Sequence, residues 1–175
     1  LMAKAAERAQ GAHPKAQLVY RFIGATPGSS DGRSLLESLC KEISRCYAAD
    51  ESDLPIEFRD LVPEFGKRLG LATAEKPLIL FIDSLDQLSE HQDARRLSWL
   101  PADLPEHVSV VVSSRKEKDV FQNLQAKGAV EKILGGLDEG DGSRLLKQWL
   151  ADVDRDLTDD QQKEVISKFK GSDGN

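Results

Sequence analysis

Two runs of apolar positions stand out along the chain. "LILFI", residues 78–82, leads directly into Asp83, and "VSVVV", residues 108–112, leads into Ser113. Both are short, rich in β-branched and aliphatic residues, and bounded by turn formers, which predicts strands at Leu78–Asp83 and Val108–Ser113. "QLVYRFI" predicts a third strand, Gln17–Ile23, and "VEKIL" a shorter fourth, Val130–Leu134. Between them the period changes to 3.6. Leu35, Leu36, Leu39, Cys40, Ile43 and Tyr47 share one helical face, with Ser30 or Asp31 placed to cap it. Residues 54–70 carry Phe58, Leu61, Val62, Phe65 and Leu69 in the same rhythm, and Pro63 should kink or split that helix. Further helices are expected at Glu90–Leu97, 116–127, 138–151 from a cap near Asp138, and 158–169 from a cap at Thr158.

Strands that alternate with helices, the two central ones apolar almost throughout, predict a parallel sheet with helices on both faces. The class is α/β, doubly wound. Ligands of such sheets sit beyond the carboxyl ends of the strands. Asp83 stands at that edge, so a carboxylate there stays hydrated or meets a ligand instead of being buried unpaired.

The amino-terminal segment continues the helical pattern, with Leu1, Met2, Ala5, Ala6 and Ala9 on one face and Gly11 as a stop. It has no capping residue before it, and the chain closes on "KGSDGN". It reads as an excerpt of a longer protein, cut at both ends. Composition adds little that is unusual: 175 residues, 39% hydrophobic and 31% charged, suit one domain with a real core. The net charge of −6 argues against a nucleic-acid surface. No apolar run approaches the ~20 residues of a membrane span, and Leu1–Gln10 is too polar for a signal peptide. Cys40 and Cys46 lie on one helix, about 9 Å apart in rise, too far for a disulfide. They are expected as free thiols of a reducing, cytoplasmic compartment.

An apolar strand ending in Asp has the form of a Walker B motif, whose acid helps to hold Mg²⁺ against phosphate oxygens. Asp83 is either that acid or a residue that caps the next turn. Asp86 either orients an attacking water or is a solvated turn residue. The neighbouring strand ends in "SSR", Ser113, Ser114 and Arg115, which brings hydroxyls and a guanidinium to the same edge, for a phosphate or for solvent. A P-loop, G-x-x-x-x-G-K-[ST], is not among these residues: "GATPGSSDG" has no lysine and "FGKRLG" has the wrong spacing.

"VYRFIGATPGSSDGRSLLESLCKEI", "PLILFIDSLDQLS", "WLPADLPEHVSVVVSSR" and "RDLTDDQQKEVISKF", taken in order, resemble the NACHT-type STAND NTPases. The likeness is to the branch found in nephrocystin-like, telomerase-associated and WD-repeat-bearing proteins, and it runs along nearly the whole chain. It implies a P-loop NTPase-like (ASCE) parallel sheet, here truncated so that the P-loop strand is missing. It implies Mg²⁺ with ATP or GTP, slow hydrolysis, and a nucleotide-dependent switch of large signalling scaffolds, with self-assembly and protein partners engaged through flanking repeats. Position by position, Asp83 resembles the metal-binding Walker B acid and Asp86 the second, catalytic acid of the extended motif. Ser114 and Arg115 resemble the nucleotide sensor, Arg115 also counting as catalytic. Gln87 stands where the family often has Glu, which leaves hydrolysis open. Walker A would directly precede Leu1.

The resemblance divides the chain into a nucleotide-binding core, 1–137, and the start of a helical region, 138–175. It also implies a strand order: Val130–Leu134, a gap for the P-loop strand, Val108–Ser113, Leu78–Asp83, then Gln17–Ile23. Two functional readings remain. One is an NTPase switch; the other is a NACHT-like scaffold or interaction module that has lost turnover. An origin-recognition-like AAA+ module on DNA would need a basic groove, which the acidic balance does not supply.

Overall fold

The structure, a computed structural model, describes residues 2–26, 28–116 and 118–171, with side chains through residue 168. The chain divides into two compact units, Leu1–Val130 and Glu131–Asn175.

The first unit is built on three parallel strands: β1 (Gln17–Phe22), β2 (Leu78–Asp83) and β3 (Val108–Val112). Their order is β1-β2-β3, so the most apolar strand is in the middle, as its composition requires. Registers are continuous from Gln17 opposite Leu78 to Phe22 opposite Asp83, and from Leu78 opposite Val108 to Ile82 opposite Val112. All three carboxyl ends therefore finish at one edge.

The period of two sorts each strand onto two faces. Val19, Leu78, Leu80 and Ile82 enter the main core with α2 (Gly32–Cys46) and α3 (Phe58–Leu69). Five of the six apolar residues expected on the α2 face are buried, and Tyr47 follows at its carboxyl end, half-buried. The Asp31 carboxylate caps the helix by accepting from Ser34 N–H at 2.8 Å. Helix α3 runs through Pro63 without a break. Proline inside a helix removes one backbone bond and costs about 3 kcal/mol; here Phe58, Leu61, Phe65 and Leu69, all buried on one face, hold the helix together. Phe65 packs edge-on against Trp99, whose indole N–H donates to Ala94 O at 2.8 Å.

The opposite sheet face carries Leu18, Tyr20, Ile79 and Phe81, with Tyr20 and Phe81 stacked across the register at 5.9 Å. Helix α1 (Met2–Ala12) covers it with Met2 and Ala6. Its cover ends at β2. On β3 the residues of that face, Ser109 and Val111, are exposed, so β3 is buried on one face and not on both as its apolar run suggested.

One backbone carbonyl of β1 is engaged by a side chain. Arg21 donates through Nη1 to Glu42 and to Tyr20 O, both at 2.6 Å, and through Nε and Nη2 to the hydroxyl and carbonyl of Ser38. A carbonyl occupied in this way is a poorer template for another strand. The expected helix at Glu90–Leu97 is a kinked 3₁₀ segment, His91–Arg96, and 116–127 is α4 (Asp119–Ala126).

Val130–Leu134 is not a strand. The segment is irregular, and Val130, Ile133 and Leu134 are 99%, 63% and 62% exposed. Its apolar residues suggested a short strand, but a strand exists only by pairing, and among the described residues none pairs with it. Among the described residues no further strand stands beside β3. The second unit is a pair of helices, α5 (Glu139–Asp152) and α6 (Asp159–Gly171). The Asp138 carboxylate caps α5 by accepting from Asp141 N–H at 2.7 Å. Thr158 and Gln161 form a reciprocal capping box at the start of α6, at 3.4 and 3.0 Å. Among the described residues no helix is long and apolar enough to cross a membrane.

Candidate functional site

The parallel register sets the carboxyl ends of β1, β2 and β3 side by side, and the backbone ties them beyond the last ladder residues. Ile23 N–H donates to Asp83 O at 3.1 Å, Ser113 N–H to Ile82 O at 3.1 Å, and Leu85 N–H to Ser113 O at 2.9 Å. Between Asp83 and Leu85 the chain reverses at Ser84, whose φ of 61° is left-handed. That reversal drops Leu85 and Leu88 into the core, 0% and 2% exposed, with a single 3₁₀ turn between them. Burial of the two leucines fixes where Asp86 points.

Asp83 is half-buried at the edge, and Ser113 is its partner. The Ser113 hydroxyl donates to Asp83 Oδ1 and accepts Ser84 N–H at 2.8 Å. Among the described residues no donor reaches Oδ2, which leaves it for a ligand. Ser114, the hydroxyl singled out with Arg115 by the resemblance, donates among the described residues only to Arg115 O, at 3.2 Å. The contact of Ser113 is legible in retrospect: if Ile82 pairs with Val112, the next residues on each strand face each other.

Mg²⁺ needs one or two carboxylates and fills its octahedron with water and phosphate oxygens. Asp83, with one oxygen oriented by a hydroxyl and the other open, suits that role. Among the described residues no three His, Cys, Asp or Glu side chains gather into a self-sufficient cation site.

Asp86 is no solvated turn residue. Its side chain is 4% exposed, and both carboxylate oxygens are taken by Arg115: Oδ2 accepts from Nε at 2.8 Å and Oδ1 from the backbone N–H at 3.3 Å. Burial alone would push its carboxyl up. The bonds from the Arg115 side chain and backbone, and the guanidinium charge, outweigh this and hold it below the ordinary aspartate value of 3.8. A second arginine stands behind it. Arg95 donates from Nη2 to Asp86 O at 2.9 Å and from Nη1 to Glu90 at 3.1 Å. No pattern in the sequence singles out Arg95, because its partner is a backbone carbonyl nine residues away. Arg115 itself is 64% exposed.

The loop after β1 closes the edge on the far side. Gly24 has φ +79°, and a Cβ there would lie 2.4 Å from Gln87 Oε1. Ser89 N–H donates to Ser30 O at 2.8 Å. Gln87, exposed, thus lies across Gly24.

Comparison with known proteins meets this geometry with a consistent set of relatives. Over 149 residues, 83% of its length, the chain is 36% identical to NACHT and WD repeat domain-containing protein 2 of Homo sapiens. Over 156 residues, 87% of its length, it is 34% identical to the protein of the same name from Mus musculus. Its homologues are NACHT and WD-repeat proteins and telomerase protein component 1. The last, from Rattus norvegicus, is 29% identical over 138 residues, 75% of the chain. The chain spans 9% of the length of the first two and 5% of the third. No protein-family model matches it.

Proposed function

We propose that this chain is the part of a NACHT-related nucleotide switch that runs from the Walker B acid to the sensor, working within a longer protein that binds ATP or GTP with Mg²⁺. The observation that carries the reading is the position of Asp83. It ends the middle strand of a parallel sheet with one carboxylate oxygen oriented by Ser113 and the other open, with Arg115 two residues beyond Ser113. Asp83 would hold the metal, and Ser114 and Arg115 would lie on the phosphate side. When bound, Mg²⁺ neutralises charge on the phosphate oxygens it bridges. Residues 1–137 form the nucleotide-binding core in this reading and 138–175 begin the helical region after it.

The relatives named for WD repeats and, in Dictyostelium discoideum, for TPR repeats support a scaffold whose partners are proteins, engaged through flanking domains. Nucleotide-dependent self-assembly belongs to the same proposal. A cytoplasmic location suits the two free cysteines; Cys40 is buried, and burial pushes its thiol up to about 12.

A second reading, a scaffold without turnover, is favoured by one observation. Both oxygens of Asp86 accept from Arg115 inside a side chain that is 4% exposed, and Gln87 is an amide where the family often has Glu.

Asp83→Ala in the longer protein should weaken Mg-ATP or Mg-GTP binding by about tenfold or more, the loss of one charge-assisted contact. Titration of the parent and the variant checks this. Equal affinity in the two would remove Asp83 from any metal role and the nucleotide reading with it. Retained binding with no measurable turnover in the parent would select the scaffold.

A further inference from the structure

We propose that Asp86 is a positioning residue for Arg115: its buried carboxylate clamps the arginine at the carboxyl edge of the sheet, with the outer guanidinium N–H groups presented to a terminal phosphate oxygen. The inference rests on the nucleotide reading above and assigns Asp86 a task other than activating water.

The geometry is asymmetric. One partner is sealed in and the other is not: the Asp86 side chain is 4% exposed and that of Arg115 64%. Exposed ion pairs usually fix little, because both side chains remain mobile. Here the acid cannot move. Leu85 and Leu88 on either side of it are in the core, and Arg95, 17% exposed, holds its carbonyl. Arg115 is gripped twice by that fixed group, once through its backbone N–H and once through Nε. Its rotation about the side-chain stem is restrained from both ends.

The remaining donors set the ligand chemistry. A guanidinium has five N–H groups in a planar fork. Nε–H is used on Asp86, and among the described residues no acceptor takes the four on Nη1 and Nη2. Arg115 follows by two residues the Ser113 whose hydroxyl orients Asp83, so its backbone leaves the same edge of the sheet. Phosphate oxygens match such a fork.

A general base has to reach the proton it takes. The Asp86 side chain is 4% exposed and each of its oxygens already accepts from Arg115, so the carboxylate is committed first to the arginine. Removing the carboxylate releases Arg115, and the consequence falls on the phosphate that the arginine would read.

Two measurements test this. The first uses the 175-residue chain and no nucleotide. Heteronuclear NMR of arginine side chains should show the Arg115 Nε–H protected from exchange in the parent and unprotected in Asp86→Asn, with the amide spectrum otherwise retained. An Nε–H equally protected in Asp86→Asn overturns the clamp.

The second uses the longer protein and compares a non-hydrolysable triphosphate with the matching diphosphate in Asp86→Asn, Arg115→Gln and the double variant. Each single change should lower triphosphate affinity about tenfold and leave diphosphate affinity unchanged. The double variant should lose no more than Arg115→Gln alone, since one residue acts through the other. Losses that multiply, or an Asp86→Asn that slows turnover with triphosphate affinity intact, overturn the proposal. If Asp86→Asn does not fold, Arg115→Lys replaces it; it keeps the charge and loses the Nε–H bond, and should show the same selective loss. Parental affinity in Arg115→Lys overturns the clamp. A parent that binds neither nucleotide defeats the nucleotide reading instead, and the NMR result then decides the clamp alone.

Discussion

The Ser113 hydroxyl bridges two residues of the neighbouring strand end, donating to Asp83 Oδ1 and accepting the N–H of Ser84 at 2.8 Å. One side chain thus orients the edge carboxylate and satisfies the backbone of the left-handed residue that follows it. The site is braced by the strand next to it, and its shape depends on the β2–β3 register.

That double role predicts the effect of Ser113→Ala. The substitution leaves Ser84 N–H without its acceptor and Asp83 without its donor, in a half-buried setting. Each lost bond is worth about 0.5–1.5 kcal/mol, so the chain should lose roughly 1–3 kcal/mol. Threonine keeps the hydroxyl and should restore most of it. Urea unfolding of the three chains checks this; an alanine variant as stable as the parent would mean that the bridge contributes nothing.

Asp86 makes stability depend on pH with a definite sign. Its folded carboxyl lies below the ordinary 3.8, held there by Arg115 against the opposing effect of burial. A group depressed in the folded state binds its proton more readily when unfolded, so its contribution is complete above the unfolded value. The contribution fades as pH falls through 3.8 toward the folded value. Urea midpoints measured from pH 6 down to about pH 3 should therefore fall more steeply for the parent than for Asp86→Asn. Parallel curves would show that the Asp86–Arg115 pair adds no pH-dependent stability.

Gly24 is the other position where the edge depends on one residue. At φ +79° any L side chain is strained, by about 1–2 kcal/mol. The Cβ of Gly24→Ala would also meet Gln87 Oε1, the free end of a flexible side chain that can swing away. The backbone is therefore expected to dominate: Gly24→Ala should destabilise by about 1–2 kcal/mol, and adding Gln87→Ala should not recover it. Full recovery in the double variant would assign the cost to the contact instead.

How much of this was legible in the residues follows from what each feature depends on. The "LILFID" run is apolar over five residues, which suits a strand covered on both faces, and the caps at Asp31, Asp138 and Thr158 are local, so these read directly. "VEKIL" has three apolar residues in five but no strict alternation, and pairing is a non-local event that five residues do not encode. The burial of Asp86 follows from Ser84 turning left-handed so that Leu85 and Leu88 reach the core, and a serine carries no signal for that turn. Ser113 and Ser114 are chemically identical in sequence. Only the register decides which of them meets Asp83.

The last prediction concerns the 175-residue chain with nucleotide. A phosphate cradle supplies backbone N–H donors, a lysine charge and a hydroxyl for the metal. The sequence contains no G-x-x-x-x-G-K-[ST] run. What it offers a triphosphate is the Asp83 carboxylate, which repels a polyanion unless Mg²⁺ intervenes, and the outer N–H groups of Arg115. One guanidinium on an open edge, 64% exposed, gives at most a weak, salt-screened attraction. Calorimetry with Mg-ATP or Mg-GTP should show no saturable heat up to about 1 mM, where binding would be worth only about 4 kcal/mol. Micromolar binding by these residues alone would mean that the edge formed by Asp83, Ser113 and Arg115 is itself a nucleotide site, needing no P-loop to hold the phosphates.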